Sequence, residues 1–221
     1  MERKKIQDRL PPPGTVRREV LWSLSSIFIF SVCSTFVYQL IKAGQTNLYF
    51  KWNEQGWLYF VISPLICIIL HDTYYYWMHR VMHSQYLFRY FHRVHHLSVT
   101  PTPWAIYSFQ PLEAFFTFLS FALIIVYLPI HPVAFGIYML ISLVNNIGGH
   151  TGYELLPAWF AKHRILKYAT VVTFHDMHHT NLKHNFGAYF NIWDRIMNTV
   201  HKDYEKKFLA VTGAKNENAE K

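Results

Sequence analysis

The chain has 221 residues, of which 52% are hydrophobic and 15% are charged, and its formal net charge is +8. This composition is too apolar for an ordinary soluble protein and predicts one membrane domain. Six basic residues precede the first apolar stretch: Arg3, Lys4, Lys5, Arg9, Arg17 and Arg18. Basic residues beside a span are typical of the cytoplasmic side, so we expect a basic cytoplasmic segment at residues 1–19 and no nucleic-acid partner.

Four apolar stretches follow, and they predict an integral membrane bundle of about four transmembrane helices. The stretches are 20–41, 57–70 with its continuation into TYYYW, 115–130 and 133–147. The first is long enough to cross about 30 Å of hydrocarbon. The last two are short for a full span, and only His131 and Pro132 separate them, which indicates a helical hairpin.

The order of these spans predicts which side of the membrane each loop occupies. With a cytoplasmic N-terminus, two crossings return the chain before His79, and the hairpin returns it again before His150. We therefore divide the chain into a membrane domain at 20–200 and a charged tail at 201–221, whose end should fray. Cys33 and Cys67 both lie in apolar stretches, which favours core packing over a disulfide.

Three histidine clusters are the strongest functional signal in the sequence. Their members are His79 and His83, then His92, His95 and His96, then His175, His178 and His179. On a helix, residues at i, i+3 and i+4 share one face, so we expect each cluster to present its imidazoles in one direction. Imidazole binds iron, zinc, copper and nickel, and eight rings are twice what one tetrahedral ion needs. The clusters therefore predict two metal ions.

Several kinds of protein could use such a site in a membrane. A redox metal would allow dioxygen to attack an unactivated C–H bond, which no amino-acid side chain can do alone. A membrane zinc-dependent hydrolase is the alternative, with Glu154 as its general base. A metal transporter would place ionisable groups inside the spans, where this sequence has almost none. A structural metalloprotein is a further alternative.

Five sequence motifs resemble the fatty acid hydroxylase/sterol desaturase superfamily of integral-membrane, di-iron, histidine-box enzymes. In order, they are HDTYYYWMHRVMH, FRYFHRVHH, HTGYE, FHDMHH and NIWDR. The segments PTPWAIYSFQPLE and NFGAYFNIWDR look most like sterol desaturases acting at carbon five. HTGYE is closer to the hydroxylating sterol enzymes, and Ser84 stands where that family often has a second adjacent histidine.

The resemblance implies an all-α membrane bundle with a cytoplasmic, histidine-rich helical cap. It implies two iron ions, dioxygen as co-substrate, a separate electron-donor protein and a lipid substrate, with a sterol or sterol-like lipid favoured over a fatty acyl chain. The membrane would be the endoplasmic reticulum or a bacterial inner membrane. The implied ligands are His79, His83, His92, His95, His96, His150, His175, His178 and His179.

Other polar residues near the clusters are expected to hold the ligating rings by hydrogen bonds rather than to bind metal. They are His71, Asp72, Glu154, Asp176 and His184. Glu113 is a further carboxylate near the clusters and another candidate acceptor for a ring N–H group.

Overall fold

The computed structural model describes residues 4–213, and this part of the chain is helical, with no β-strand among the described residues. The four long helices are α1 (Thr15–Lys42), α2 (Trp57–Met82), α5 (Pro111–Tyr127) and α6 (Pro132–Gly149). The short ones are α3 (Phe88–Phe91), α4 (Arg93–His96), α7 (Trp159–Lys162), α8 (Val172–Thr180), α9 (Ile192–Ile196) and α10 (Tyr204–Val211). We call the short helices and their connecting loops the cap.

The long helices confirm the predicted membrane bundle. Among the described helices α1, α2 and α6 are long and apolar enough to cross a membrane. Helix α5 is apolar but has only 17 residues, so it rises about 26 Å, slightly less than the hydrocarbon thickness. The expected four helices are therefore present, with α5 a turn short of a full span.

Helix α2 contains a proline without being interrupted. Pro64 has no N–H to donate to the carbonyl of Phe60, one turn earlier. The hydroxyl of Ser63 donates to that carbonyl at 3.0 Å instead. This local replacement allows α2 to continue to Met82 and to carry the first histidine cluster at its end.

The bundle core lies between α2, α5 and α6. Cys67 of α2 is completely buried there with Ile130 and Tyr138, and Tyr189 of the cap packs against the same cluster. Cys67 is a free thiol, as is the half-buried Cys33 on α1, so neither forms the disulfide that their positions argue against. The outward faces of α1, α2 and α6 expose many large apolar side chains, as helices surrounded by lipid do.

The two ends of the bundle differ in character. At one end the loop after α1 contacts the α5–α6 turn, where the amide of Asn47 donates to the Tyr127 carbonyl at 2.9 Å. At the other end lies the cap, against which the N-terminal segment packs: the Gln7 amide donates to Asp176 of α8 at 2.7 Å. The N-terminal segment and all the histidine clusters are thus at one end, which agrees with the predicted order of spans.

The predicted charged tail begins as an ordered part of the cap. In α10, Tyr204 and Phe208 are buried against Phe174 and Met177 of α8. These apolar side chains recur four residues apart, which places them on one face of the helix. The end of the tail, where fraying is expected, lies beyond residue 213 and outside the described residues.

Candidate metal centre

The last turn of α2 supplies the first pair of rings. His79 and His83 are four residues apart, and their Nε2 atoms lie 3.3 Å from each other. His79 is buried, because the cap covers this end of α2. This pair behaves as the spacing predicts, with both rings directed to the same place.

The other two clusters divide between two places, which corrects the expectation that each faces one direction. His92 and His96 join the rings of α2, whereas His95 points elsewhere. In α8 the first and last rings of the cluster stay together, and His178 diverges from both. An α-helix rotates by about 100° per residue, so the side chain at i+4 lies about 40° past that at i around the helix axis, whereas the side chain at i+3 lies about 60° before it. Adjacent histidines at i+3 and i+4 therefore point about 100° apart.

The result is two compact groups that together contain all nine predicted ligands. Group A, with five rings, comprises His79, His83, His92, His96 and His178; group B, with four, comprises His95, His150, His175 and His179. In each group the facing ligand atoms lie within 4.8 Å of one another, and each group could hold a metal ion. His150 joins group B from the end of α6, with its Nε2 3.1 Å from that of His175.

The hydrogen bonds of the outer ring nitrogens define which nitrogen is free to bind a cation. The Nδ1 atoms of His79, His178 and His150 lie 2.9, 2.7 and 2.8 Å from backbone carbonyl oxygens. A carbonyl only accepts, so each Nδ1 carries the hydrogen, and the Nε2 of the neutral ring has a bare lone pair. The acceptors are the carbonyls of Phe186, His184 and Asn146.

The contact between His79 and His92 tests whether these rings fit a metal. With Glu113 ionised, its Oε1 accepts from the Nδ1 of His92 at 2.5 Å, and the Nε2 of both rings is then bare. These two atoms lie 2.9 Å apart, and neither has a hydrogen to share. The Nε2 of His178 is buried without any hydrogen-bond partner. Converging lone pairs of this kind repel unless a cation lies between them, so the residues fit a metal.

Burial keeps these rings neutral. It lowers the pKa of His92, His95, His96, His175 and His179 well below the usual value, and the neighbouring imidazoles lower it further. Burial also lowers the pKa of His150 and His178 to about 4, although their carbonyl partners oppose the shift. Neutral imidazole is the form that ligates metals.

Two of the carboxylates expected to hold ligating rings have other partners. Asp72 Oδ1 accepts from the backbone N–H groups of Tyr189 and Phe190 at 2.8 and 3.1 Å. Asp176 accepts from Gln7 at 2.7 Å and pairs with Lys207 at 3.3 Å. Both carboxylates therefore stabilise the structure of the cap, and the prediction that they accept hydrogen bonds from ligating rings is wrong.

Glu154 is likewise committed elsewhere. Its Oε2 accepts from the backbone N–H and hydroxyl of Thr173 at 2.9 and 2.6 Å, and its Oε1 accepts from Leu156 N at 3.1 Å. It belongs to neither histidine group. Glu154 thus fixes the start of α8, because Thr173 lies in its first turn.

Of the two histidines expected to hold ligating rings, His71 does not, and His184 does so through its backbone. His71 is buried among aromatic rings, with its Nδ1 2.9 Å from the Tyr189 hydroxyl and 2.8 Å from that of Tyr138, and it contacts no ligating nitrogen. The ring of His184 pairs with Asn181 at 3.0 Å. His184 does orient a ligand, but through its backbone carbonyl on His178.

Among the described residues Glu113 is the carboxylate that does hold a ring, as its place near the clusters allows. It lies in the first turn of α5 and is 1% exposed. The sequence does carry one signal for Glu113, because a carboxylate at the edge of an apolar helix is costly unless it has a partner. Sequence reasoning missed the carbonyl partners, and they had no such signal, since every residue has a backbone carbonyl.

A cavity of about 250 Å³ extends from group B toward the membrane. His95, His150 and His175 line one end of it. Its remaining walls come from α2, α5, α6 and the loops before and after α8, and most of them are apolar. Group A contributes no ring to this lining, so the two groups are not equivalent: group B is the one that faces the cavity.

Comparison with known families agrees with this arrangement. The family model "Fatty acid hydroxylase" matches residues 64–199, which contain all nine rings of the two groups. The chain belongs to the fatty acid hydroxylase family. The match begins within α2 and ends after α9, so it covers most of α2, all of α5 and α6, and the cap as far as α9.

Curated relatives include several enzymes of sterol oxidation. The chain is 29% identical to lathosterol oxidase of Rattus norvegicus over 82% of its own length and 60% of that protein. It is 28% identical to methylsterol monooxygenase 1 of Gallus gallus, covering 94% of the chain and 71% of the relative. It is 27% identical to a Delta(7)-sterol 5(6)-desaturase of Aspergillus fumigatus, covering 80% and 60%. The chain thus spans about 60% of lathosterol oxidase. No solved structure matches the chain.

Proposed function

We propose that this chain catalyses the oxygen-dependent hydroxylation or desaturation of a lipid at a pair of iron ions held by groups A and B. The observation that carries the proposal is the convergence of bare Nε2 atoms in two adjacent groups at one end of a membrane bundle. When bound, the two ions would supply the dioxygen chemistry that side chains lack. The family membership favours iron as the metal.

The residues around the groups have distinct parts in this proposal. Glu113 and the three backbone carbonyls keep the rings in one tautomer and one orientation. The apolar cavity at group B would hold the lipid with its reacting carbon beside that group and would exclude water. Group A would lie behind it, away from the cavity lining.

A sterol or sterol-like substrate is favoured over a fatty acyl chain. The support is the identity of the relatives, which include a lathosterol oxidase and a methylsterol monooxygenase. Electrons would come from a separate donor protein on the cytoplasmic face of the endoplasmic reticulum or of a bacterial inner membrane. The zinc-hydrolase alternative receives no support, because both oxygens of Glu154 are occupied.

The deciding experiment combines metal analysis with product analysis. Anaerobically purified protein should contain about two metal ions per chain, one for each histidine group. Membranes containing the protein, supplied with an electron donor and a sterol, should consume dioxygen and form a hydroxylated or desaturated product. One bound metal ion, or a product formed equally well without dioxygen, would reject the proposal.

The proposed sidedness has its own test. Single cysteines placed at the exposed positions Gln85, in the cap, and Asn53, between α1 and α2, should react with an impermeant maleimide from opposite sides. Gln85→Cys should label from the cytoplasmic side. Labelling of both positions from one side would contradict the arrangement of the spans.

A further inference from the structure

The cavity at group B reaches the surface of the protein beside the end of α6. Of the described residues that line it, only Val144 and Leu155 are exposed, at 62% and 57%. Val144 is near the end of α6, and Leu155 is in the loop that follows this helix. The mouth of the cavity therefore lies between the last turns of α6 and this loop.

Gly148 leaves the α6 side of the mouth without a side chain. It lines the cavity one turn after Val144. Outside the backbone of the helix itself, the one described atom within 4 Å of an added Cβ would be Leu155 Cδ1, at 3.9 Å. A longer side chain at position 148 would thus extend toward Leu155 and narrow the mouth.

The mouth faces the membrane rather than the water above the cap. Ile137, Ile141 and Val144 are all exposed, and as i, i+4 and i+7 they form one apolar stripe along the outer face of α6. Gly148 continues this stripe at i+11, on the turn nearest the cap. Trp159, four residues after Leu155, is also exposed, as aromatic residues at the membrane surface are.

The loop side of the mouth is held in place by backbone hydrogen bonds on both sides of Leu155. The N–H of Glu154 donates to the Lys4 carbonyl at 2.8 Å, and Glu154 Oε1 accepts from the N–H of Leu156 at 3.1 Å. The side chains at positions 148 and 155, rather than a movement of the loop, therefore determine how wide the mouth is.

A second cavity, of about 330 Å³, lies between α2 and α5 and offers the alternative entrance. Leu70 and Leu123, which line it, are both exposed. No ring of group A or group B lines this cavity, and the buried His71 lies in the walls of both cavities. The arrangement favours the mouth beside α6 as the way to group B.

We propose that lipid enters the cavity sideways from the membrane, between Val144 and Leu155, and that the missing side chain at Gly148 determines how wide a lipid can pass. The cavity volume of about 250 Å³ is below the usual range for a whole ligand, so part of a bound lipid stays in the mouth, against Gly148. The inference rests on the proposed function only for the identity of this lipid as the substrate.

The test measures access to the cavity and needs neither turnover nor bound metal. Ser142, which lines the cavity, is replaced by cysteine in a chain that also carries Cys33→Ser, so that the completely buried Cys67 is the one native thiol left. This parent protein, in liposomes, is labelled with pyrene maleimide dissolved in the bilayer or with a cationic methanethiosulfonate in the water. Each rate is divided by the rate for the same protein unfolded in sodium dodecyl sulfate.

The bilayer reagent should label Ser142→Cys faster than the aqueous reagent does. Because overpacking a close contact is unfavourable, adding Gly148→Leu should slow labelling from the bilayer by about tenfold. Leu155→Trp narrows the mouth from the loop side and should slow it as well. Size-exclusion profiles identify a variant that does not fold, and if Gly148→Leu is one, Leu155→Trp decides.

The matched control is Gly136→Leu, the same change on the same helix at a position where an added Cβ meets nothing within 4 Å. It should label as the parent does, and so should Leu123→Trp in the second cavity. Unchanged labelling in folded Gly148→Leu, equal slowing in Gly136→Leu, slowing by Leu123→Trp, or faster labelling from the water would each overturn the inference. The expected pattern in a protein that oxidises no lipid would leave the inference standing while rejecting the proposed reaction.

Discussion

Replacement of Glu113 by glutamine tests how the carboxylate acts on the metal centre. Glu113 accepts from His92 Nδ1 at 2.5 Å inside a completely buried contact. A glutamine at this position would retain an acceptor oxygen but remove the negative charge that strengthens the bond and the basicity of the ring. A charge-assisted hydrogen bond contributes about 1.5–3 kcal/mol and a neutral one about 0.5–1.5 kcal/mol, so the exchange costs about 1–1.5 kcal/mol, or about 5- to 10-fold in affinity. We therefore expect Glu113→Gln to bind metal in group A about 5- to 10-fold more weakly.

The assay is an anaerobic titration of metal-depleted protein with ferrous iron in competition with a chelator. Glu19→Gln is the control, because Glu19 is also fully buried and accepts a hydrogen bond from Thr102, but it contacts no ring. Its metal affinity should equal that of the wild type. If Glu113→Gln also binds as tightly as the wild type while His92→Ala does not, then the carboxylate has no influence on the ring and the reasoning fails.

Three variants with matched measurements test other parts of the same geometry. His178→Ala should bind the metal of group A more weakly, because it leaves four of the five rings, whereas His184→Ala should bind as the wild type does, because His184 contributes only its backbone carbonyl. Metal titration of both variants decides, and equal weakening would contradict this. Gly187→Ala should destabilise the fold by about 3 kcal/mol and lower the thermal transition, since the added Cβ would lie 2.1 Å from a carbonyl oxygen. Gly136→Ala should not lower the transition, because no atom lies within 4 Å of the added Cβ. Phe208→Ala should cost about 3–5 kcal/mol in the same thermal assay, and an unchanged transition would mean that α10 does not support the cap.

Histidine spacing predicts the clusters, and the rotation of about 100° per residue in a helix also predicts how each cluster divides. His175 and His179 share a face as i and i+4, and His178 lies 100° from His179. The same rule separates His95 from His96 in the preceding cluster. The division into two groups was therefore implicit in the spacing. The assignment of His150 to group B required the fold, because only the packing of α6 against α8 brings it there.

The partners of the rings could not be assigned in the same way. Glu113 is one of several carboxylates near the clusters, and it is 21 residues from His92, so a helix and a loop must be placed before the two meet. Three other rings are held by backbone carbonyls, which carry no sequence signal. The expectation that Asp72 and Asp176 would hold rings failed for a related reason: proximity along the chain to a histidine does not determine which donors a carboxylate faces once helices pack.

The sequence NFGAYFNIWDR gains a physical role from these contacts. Asp194 accepts from the backbone N–H groups of Phe186 and Gly187 at 2.9 and 2.8 Å, which fixes the peptide units at the start of this segment. The Phe186 carbonyl, held in place by that arrangement, accepts from the Nδ1 of His79 and leaves its Nε2 directed into group A. Asp72 holds the segment again three residues later. Asp194 thus acts on the metal centre indirectly, by setting the direction of the carbonyl that sets the tautomer of His79, while Asp72 fixes the part of the segment that follows.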